Sequence, residues 1–118
     1  MNLLLVFIGG GLGAAIRWYI CSEVSSVGFP YGTVTVNLLG CFLIGITSVF
    51  LLNQPKLGLL FVTGFLGGFT TFSSFGLDAF GLLQIEQYKK FMSYVLTSNV
   101  LGILLVIVGH KLASAFVG

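Results

Sequence analysis

The sequence predicts an all-α membrane protein with four transmembrane helices, the third of them broken at mid-membrane. Three observations predict it. Hydrophobic residues make up 57% of the 118 residues and charged residues only 7%, against about 25% charged in a soluble domain. The chain has four long charge-free runs, 1–16, 24–55, 57–77 and 91–110, and a spanning helix needs about 20 mainly apolar residues. The third run holds an abnormal density of glycine and hydroxyl residues. The same figures exclude disorder, which needs low hydrophobicity and high charge. A net charge of +2 is too thin for a nucleic-acid surface, so no nucleic-acid partner is expected. Strand-like alternation is absent, which argues against a β-barrel.

The first span is placed at residues 3–22. No basic segment precedes its apolar run and further spans follow, so it is read as retained rather than as a cleaved leader. Gly9 and Gly13 form a GxxxG pair, and Gly10 with Ala14 a second small-residue pair, the pattern that lets helices approach closely in lipid. Arg17 lies four residues beyond Gly13 and shares its face. The run Gly9-Gly10-Gly11-Leu12-Gly13-Ala14 also fits G-x-G-x-x-A. That fingerprint works only at the start of a soluble βαβ unit, which does not follow here. Residues 23–32, with Gly28, Pro30 and Gly32, read as a turn. The second span, 33–53, carries Thr33, Asn37, Gly40, Cys41 and Ser48 along one side. Residues 53–56 make a tight turn into the third span at 57–82.

Within that span, residues 64–76 read Gly-Phe-Leu-Gly-Gly-Phe-Thr-Thr-Phe-Ser-Ser-Phe-Gly. Each glycine costs a helix roughly 1 kcal/mol relative to Ala, and clustered Thr and Ser compete for backbone hydrogen bonds. A break is expected near residues 67–71. Irregular backbone at membrane depth persists only where protein buries it or where it lines a cavity, and freed carbonyls there can bind a cation. After the loop at 84–90, the fourth span, 91–115, carries Tyr94, Ser98 and Gly102 at intervals of four. Residues 1–118 are taken as one transmembrane domain with no room for an extramembrane one.

Function is sought inside the bilayer. Phe72 and Phe75 share a helix face, and a ring presents a positive edge that could touch an anion; packing or lipid-facing aromatics are the plainer reading. Asn37 offers two amide N–H donors or an interhelical hydrogen bond. Arg17 is either an anion-attracting charge or a snorkelling anchor. Asp78 reads as an interfacial acid near the far end of the third span. Cys21 and Cys41 read as small apolar side chains, and His110 as an interfacial residue. Basic residues divide almost evenly between the two sides, Lys56 and Lys111 against Lys89, Lys90 and Arg17, so the orientation rule gives nearly no bias.

Three stretches together resemble the Fluc/CrcB fluoride channels. They are Gly9-Gly10-Gly11-x-Gly13-Ala14-x-x-Arg17, Gly32-Thr33-x-x-Val36-Asn37-x-x-Gly40-x-Phe42-x-x-Gly45, and Gly64-x-x-Gly67-Gly68-x-Thr70-Thr71-Phe72-Ser73-Ser74-Phe75. The resemblance implies a fluoride-selective channel in the cell membrane that exports fluoride passively. It implies an antiparallel dual-topology dimer with two pores, the partner being a second copy or a related chain, surrounded by membrane lipid. Phe72 and Phe75 match pore-lining phenylalanines, Asn37 a pore asparagine and Arg17 a vestibule arginine. Gly67 and Thr70 match positions whose carbonyls hold a structural sodium ion, the one cofactor implied. Ser74, Tyr94 and Ser98 match a polar track beside the phenylalanines. The rival readings are a small four-span dual-topology multidrug exporter and a non-transporting assembly subunit. The first depends on an acid in the middle of the first span, where this chain has Gly and Ala. The second needs no broken helix.

Overall fold

The computed structural model describes residues 1–24, 28–51 and 53–118. Residues 25–27 of the expected first loop and residue 52 of the expected second span lie outside these. All elements are helical, with no strand among the described residues. Helix α1 covers Asn2–Val24 and α2 covers Tyr31–Phe50. Helix α3 covers residues 55–69, and α4 covers Phe72–Gln84. Helix α5 runs over Tyr88–Val117. Four segments are long and apolar enough to cross a membrane: α1, α2, α3 with α4 (Pro55–Gln84), and α5. Both long segments contain π-helical turns, at Leu59–Leu66 and Thr97–Leu101. The turn before α5 is shorter than expected, because Glu86 adopts a left-handed conformation at φ 59° and reverses the chain within three residues.

Helix α1 lies against α3, α2 against α5, and α4 against the first turns of α5. Small residues set both long crossings. Gly9 and Gly13 are buried, and a Cβ on either would strike the α3 backbone at Leu60 or Phe65. Gly68 answers from α3, pressed on the backbone of Gly10. On the other side Gly45 meets the Val106 carbonyl, and Gly109 meets that of Phe42. These contacts bring backbone to backbone, where dispersion and weak polar contacts replace the hydrophobic drive that lipid removes.

Little else is enclosed. One small core joins Val36, Leu66 and Phe69; a second joins Ala79, Leu82 and Tyr94. Only 11–17% of each spanning segment's most apolar stretch is buried, so most apolar side chains face outward. The molecule measures 47 × 32 × 20 Å. Its thinnest dimension is about two helix diameters, so one chain forms a slab rather than a tube.

Candidate functional site

The geometry of the third span turns on where its backbone hydrogen bonds go. Thr70 (φ −91°, ψ 159°) and Thr71 (φ −149°, ψ 122°) are extended. The double glycine is not: Gly67 and Gly68 remain helical, because Gly68 serves the close approach to α1. In a continuous helix the Thr71 amide would return to the Gly67 carbonyl and the Ser74 amide to that of Thr70. Instead Thr71 N donates to Asn37 Oδ1 at 2.8 Å, and Ser74 N donates to Thr71 Oγ1 at 3.2 Å. Thr71 is therefore the N-cap of α4. Asn37 returns the bond, its Nδ2 donating to the Thr71 carbonyl at 2.9 Å. The asparagine side chain thus imitates a strand partner for one extended residue, and two of its hydrogen-bonding positions are committed there.

The end of α3 is satisfied from two directions. The Leu66 carbonyl accepts both the amide and the hydroxyl of Thr70, at 3.1 and 2.9 Å. Arg17 Nε donates to the Gly68 carbonyl at 3.0 Å, which sets a cation at the negative end of the helix dipole. Arg17 is half-buried and tied to α3. One of its donors is thus committed to the end of α3. Gly40 makes room for the Thr70 side chain, since a Cβ there would collide with the Thr70 methyl. Asn37, Gly40, Gly67, Thr70, Thr71 and Phe72 line an open cleft of about 330 Å³.

Around α4 the aromatic side chains form a chain of contacts. The Phe72 and Phe75 rings lie 5.6 Å apart, and Phe75 lies 4.9 Å from Tyr94. Phe72 is 80% exposed while Tyr94 is fully buried. The Tyr94 hydroxyl donates to Asp78 Oδ2 at 3.2 Å, and the Thr33 hydroxyl donates to the same oxygen at 2.8 Å. Asp78 stands midway along α4 rather than at a helix end. It fixes the ring on which Phe75 rests. One turn beyond Tyr94, Ser98 Oγ is buried with no hydrogen-bond partner.

The structure therefore brings Asn37, Thr70, Gly67 and Phe72 to one cleft, and Phe75 and Tyr94 to the ring contacts beside it. Ser74 contributes its amide to the Thr71 cap. The sequence reading named Thr33, Thr71 and Asp78 but assigned none of them these contacts. A Thr ahead of Phe72-Ser73-Ser74 is a helix-start signal that could have marked the cap. Nothing local could have shown the Asp78 contacts, whose partners are 45 and 16 residues away. Among the described residues no three His, Cys, Asp or Glu side chains gather as a metal site. Cys21 and Cys41 are free and half-buried. His110 is exposed, with Nδ1 3.0 Å from Ser48 Oγ.

Comparison with known proteins bears on this arrangement. Residues 4–110 match the family model described as CrcB-like protein, Camphor Resistance (CrcB). The chain is 44% identical over its full length to a protein of Helicobacter pylori (strain J99) named fluoride-specific ion channel FluC, covering 98% of that protein. It is 44% identical to a protein of the same name from Helicobacter acinonychis, over 99% of this chain and all of the relative. A third, from Hydrogenobaculum sp., is 42% identical over 95% of this chain and 97% of its own length, and carries the same name.

Proposed function

The chain belongs to the CrcB-like family, and from that premise we propose that it is a fluoride-selective ion channel, which lets fluoride leave the cell passively and lowers its concentration in the cytoplasm. The family is one of ion channels rather than enzymes, and the chain is a multi-pass membrane protein. The observation that carries the proposal is the coincidence of full-length likeness to fluoride channels with a cleft where the Asn37 amide and the Phe72 ring meet the extended backbone of Thr70 and Thr71.

The pathway in this proposal runs past Asn37, Phe72, Phe75, Ser74, Tyr94 and Ser98, and Arg17 sits near its vestibule. Fluoride is small and strongly hydrated, so it enters a membrane only where donors replace its water. Hydroxyl groups, ring edges and the remaining N–H of Asn37 each replace a little, in series. Conduction requires sites strong enough to admit the ion and weak enough to release it. The unpartnered hydroxyl of Ser98 supports its place in such a series. The break in the third helix belongs at mid-membrane in this reading, and the extended Thr70–Thr71 pair supports it.

A structural sodium ion fits the same stretch. The amides of Thr71 and Ser74 are bonded elsewhere, which leaves the carbonyls of Gly67 and Thr70 without their helical donors. Carbonyl oxygens are the donor type that freed backbone offers a hard cation. Gly67 and Thr70 would hold the ion, and its charge would offset the partial negative charge of their carbonyl oxygens. The slab-like single chain, with Phe72 largely exposed, supports an antiparallel dimer in which a second copy or a related chain completes the pore.

The test is fluoride efflux from liposomes containing the purified protein. Fluoride flux without chloride flux is the expected outcome. Silence towards fluoride together with proton-driven export of organic cations would end the proposal in favour of a multidrug exporter.

A further inference from the structure

Lys89 and Lys90 sit where helix physics disfavours them. They occupy the first turn of α5, which holds no acid, and a cation at a helix N-terminus opposes the helix dipole. Their position needs another reason, and the surroundings supply one. Both line a cleft of about 570 Å³ together with Phe29, Ser93 and Thr97. Lys90 folds across it: its Nζ lies 3.2 Å from where a side chain on Gly28 would begin. Lys89, Ser93 and Thr97 follow at intervals of four, so they form one face of α5, with cations outermost and hydroxyls deeper along the helix. The Phe29 ring stands edge-on to Tyr94 at 5.6 Å, and Tyr94 carries Phe75 on its other contact. This cleft therefore backs onto the ring series of the pathway.

We infer that this cleft is an anion-collecting mouth. Lys89 and Lys90 raise the local concentration of fluoride, and Ser93 and Thr97 take over part of its hydration before the ion reaches the rings. The inference rests on the channel reading above. Two ammonium groups beside hydroxyls would also suit a lipid phosphate, and the test separates the two sources. A collecting charge acts on the capture rate, by tenfold or more in favourable clefts, and fades with salt; the screening length falls from about 30 Å at 0.01 M to about 3 Å at 1 M.

The experiment measures fluoride efflux from neutral phosphatidylcholine vesicles at ~0.01 M and ~1 M potassium gluconate, for the wild type, the Lys89→Gln/Lys90→Gln variant and a Lys56→Gln/Lys111→Gln control. Dimer elution in detergent verifies folding of each. The expected result is a loss of roughly threefold or more in the first variant at low salt, vanishing at high salt, with no loss in the control. The Lys89→Arg/Lys90→Arg variant keeps the charge and should keep wild-type flux. No loss at low salt, an equal loss at both salts, or a loss that appears only when anionic phosphatidylglycerol is added would overturn the inference while leaving the channel intact. A wild type that passes no fluoride at either salt would remove the channel reading, and this inference with it.

Discussion

Asn37 illustrates how a single side chain can be spent on backbone. Both of its bonds go to Thr71, and without Asn37 the Thr71 amide would be left unpaired, costing about 1–3 kcal/mol when buried. Asn37→Ala should therefore lower the melting temperature of the detergent-solubilised protein as well as its fluoride flux; an unchanged melting temperature would show that the clamp is dispensable. Phe75 belongs to a different class, because it touches a ring rather than a hydrogen-bonding group. Phe75→Ile keeps bulk and removes the ring edge, so flux should fall by about tenfold or more, equal to about 1.4 kcal/mol on the barrier, with elution volume unchanged. Asp78 gives a graded case. Asp78→Asn retains an acceptor for Thr33 and Tyr94, whereas Asp78→Ala orphans both hydroxyls. The alanine variant should lose distinctly more stability than the asparagine variant, and equal losses would mean that charge, not acceptance, matters at this position.

Between helices, glycine acts through space rather than through flexibility. Gly9 and Gly11 are two residues apart on α1, yet a Cβ on Gly9 would enter the α3 backbone while one on Gly11 meets nothing within 4 Å. Gly9→Ala should force the α1–α3 crossing apart, at a cost of about 1–3 kcal/mol for overpacking. Gly11→Ala should be neutral or stabilising by about 0.4–1 kcal/mol, since it only restricts the unfolded chain. Thermal melts of the two variants side by side decide the matter, and similar shifts would refute the crossing. The third span follows the same logic: its double glycine stays helical because close packing on Gly10 needs Gly68 there. The bend falls two residues later, where Asn37 and the Thr71 cap supply the hydrogen bonds that a helix would have supplied.

At the level of the whole molecule, a slab two helices thick with most of its apolar surface outward requires lipid, a partner chain, or both. In mild detergent the protein should travel as a dimer of 12.6 kDa chains, measured by light scattering after subtraction of the detergent. A monomer that still conducts fluoride would contradict the proposed shared pore. Exchange of sodium for a bulky organic cation during purification should lower both flux and melting temperature if Gly67 and Thr70 carbonyls share an ion. Indifference to sodium would remove the ion from the proposal.

The membrane class, the number of spans and the special character of residues 64–76 were legible along the chain, because charge-free length and local composition are one-dimensional properties that lipid reads directly. The sequence also marked Gly9, Gly13 and Arg17 as one face, since helical spacing is local. Tertiary structure alone decided that Arg17 ends on the Gly68 carbonyl, that Asn37 pairs with Thr71, and that Asp78 gathers Thr33 and Tyr94. Those partners are separated by up to 51 residues, and no local periodicity records which distant groups a fold will bring within a hydrogen bond's reach.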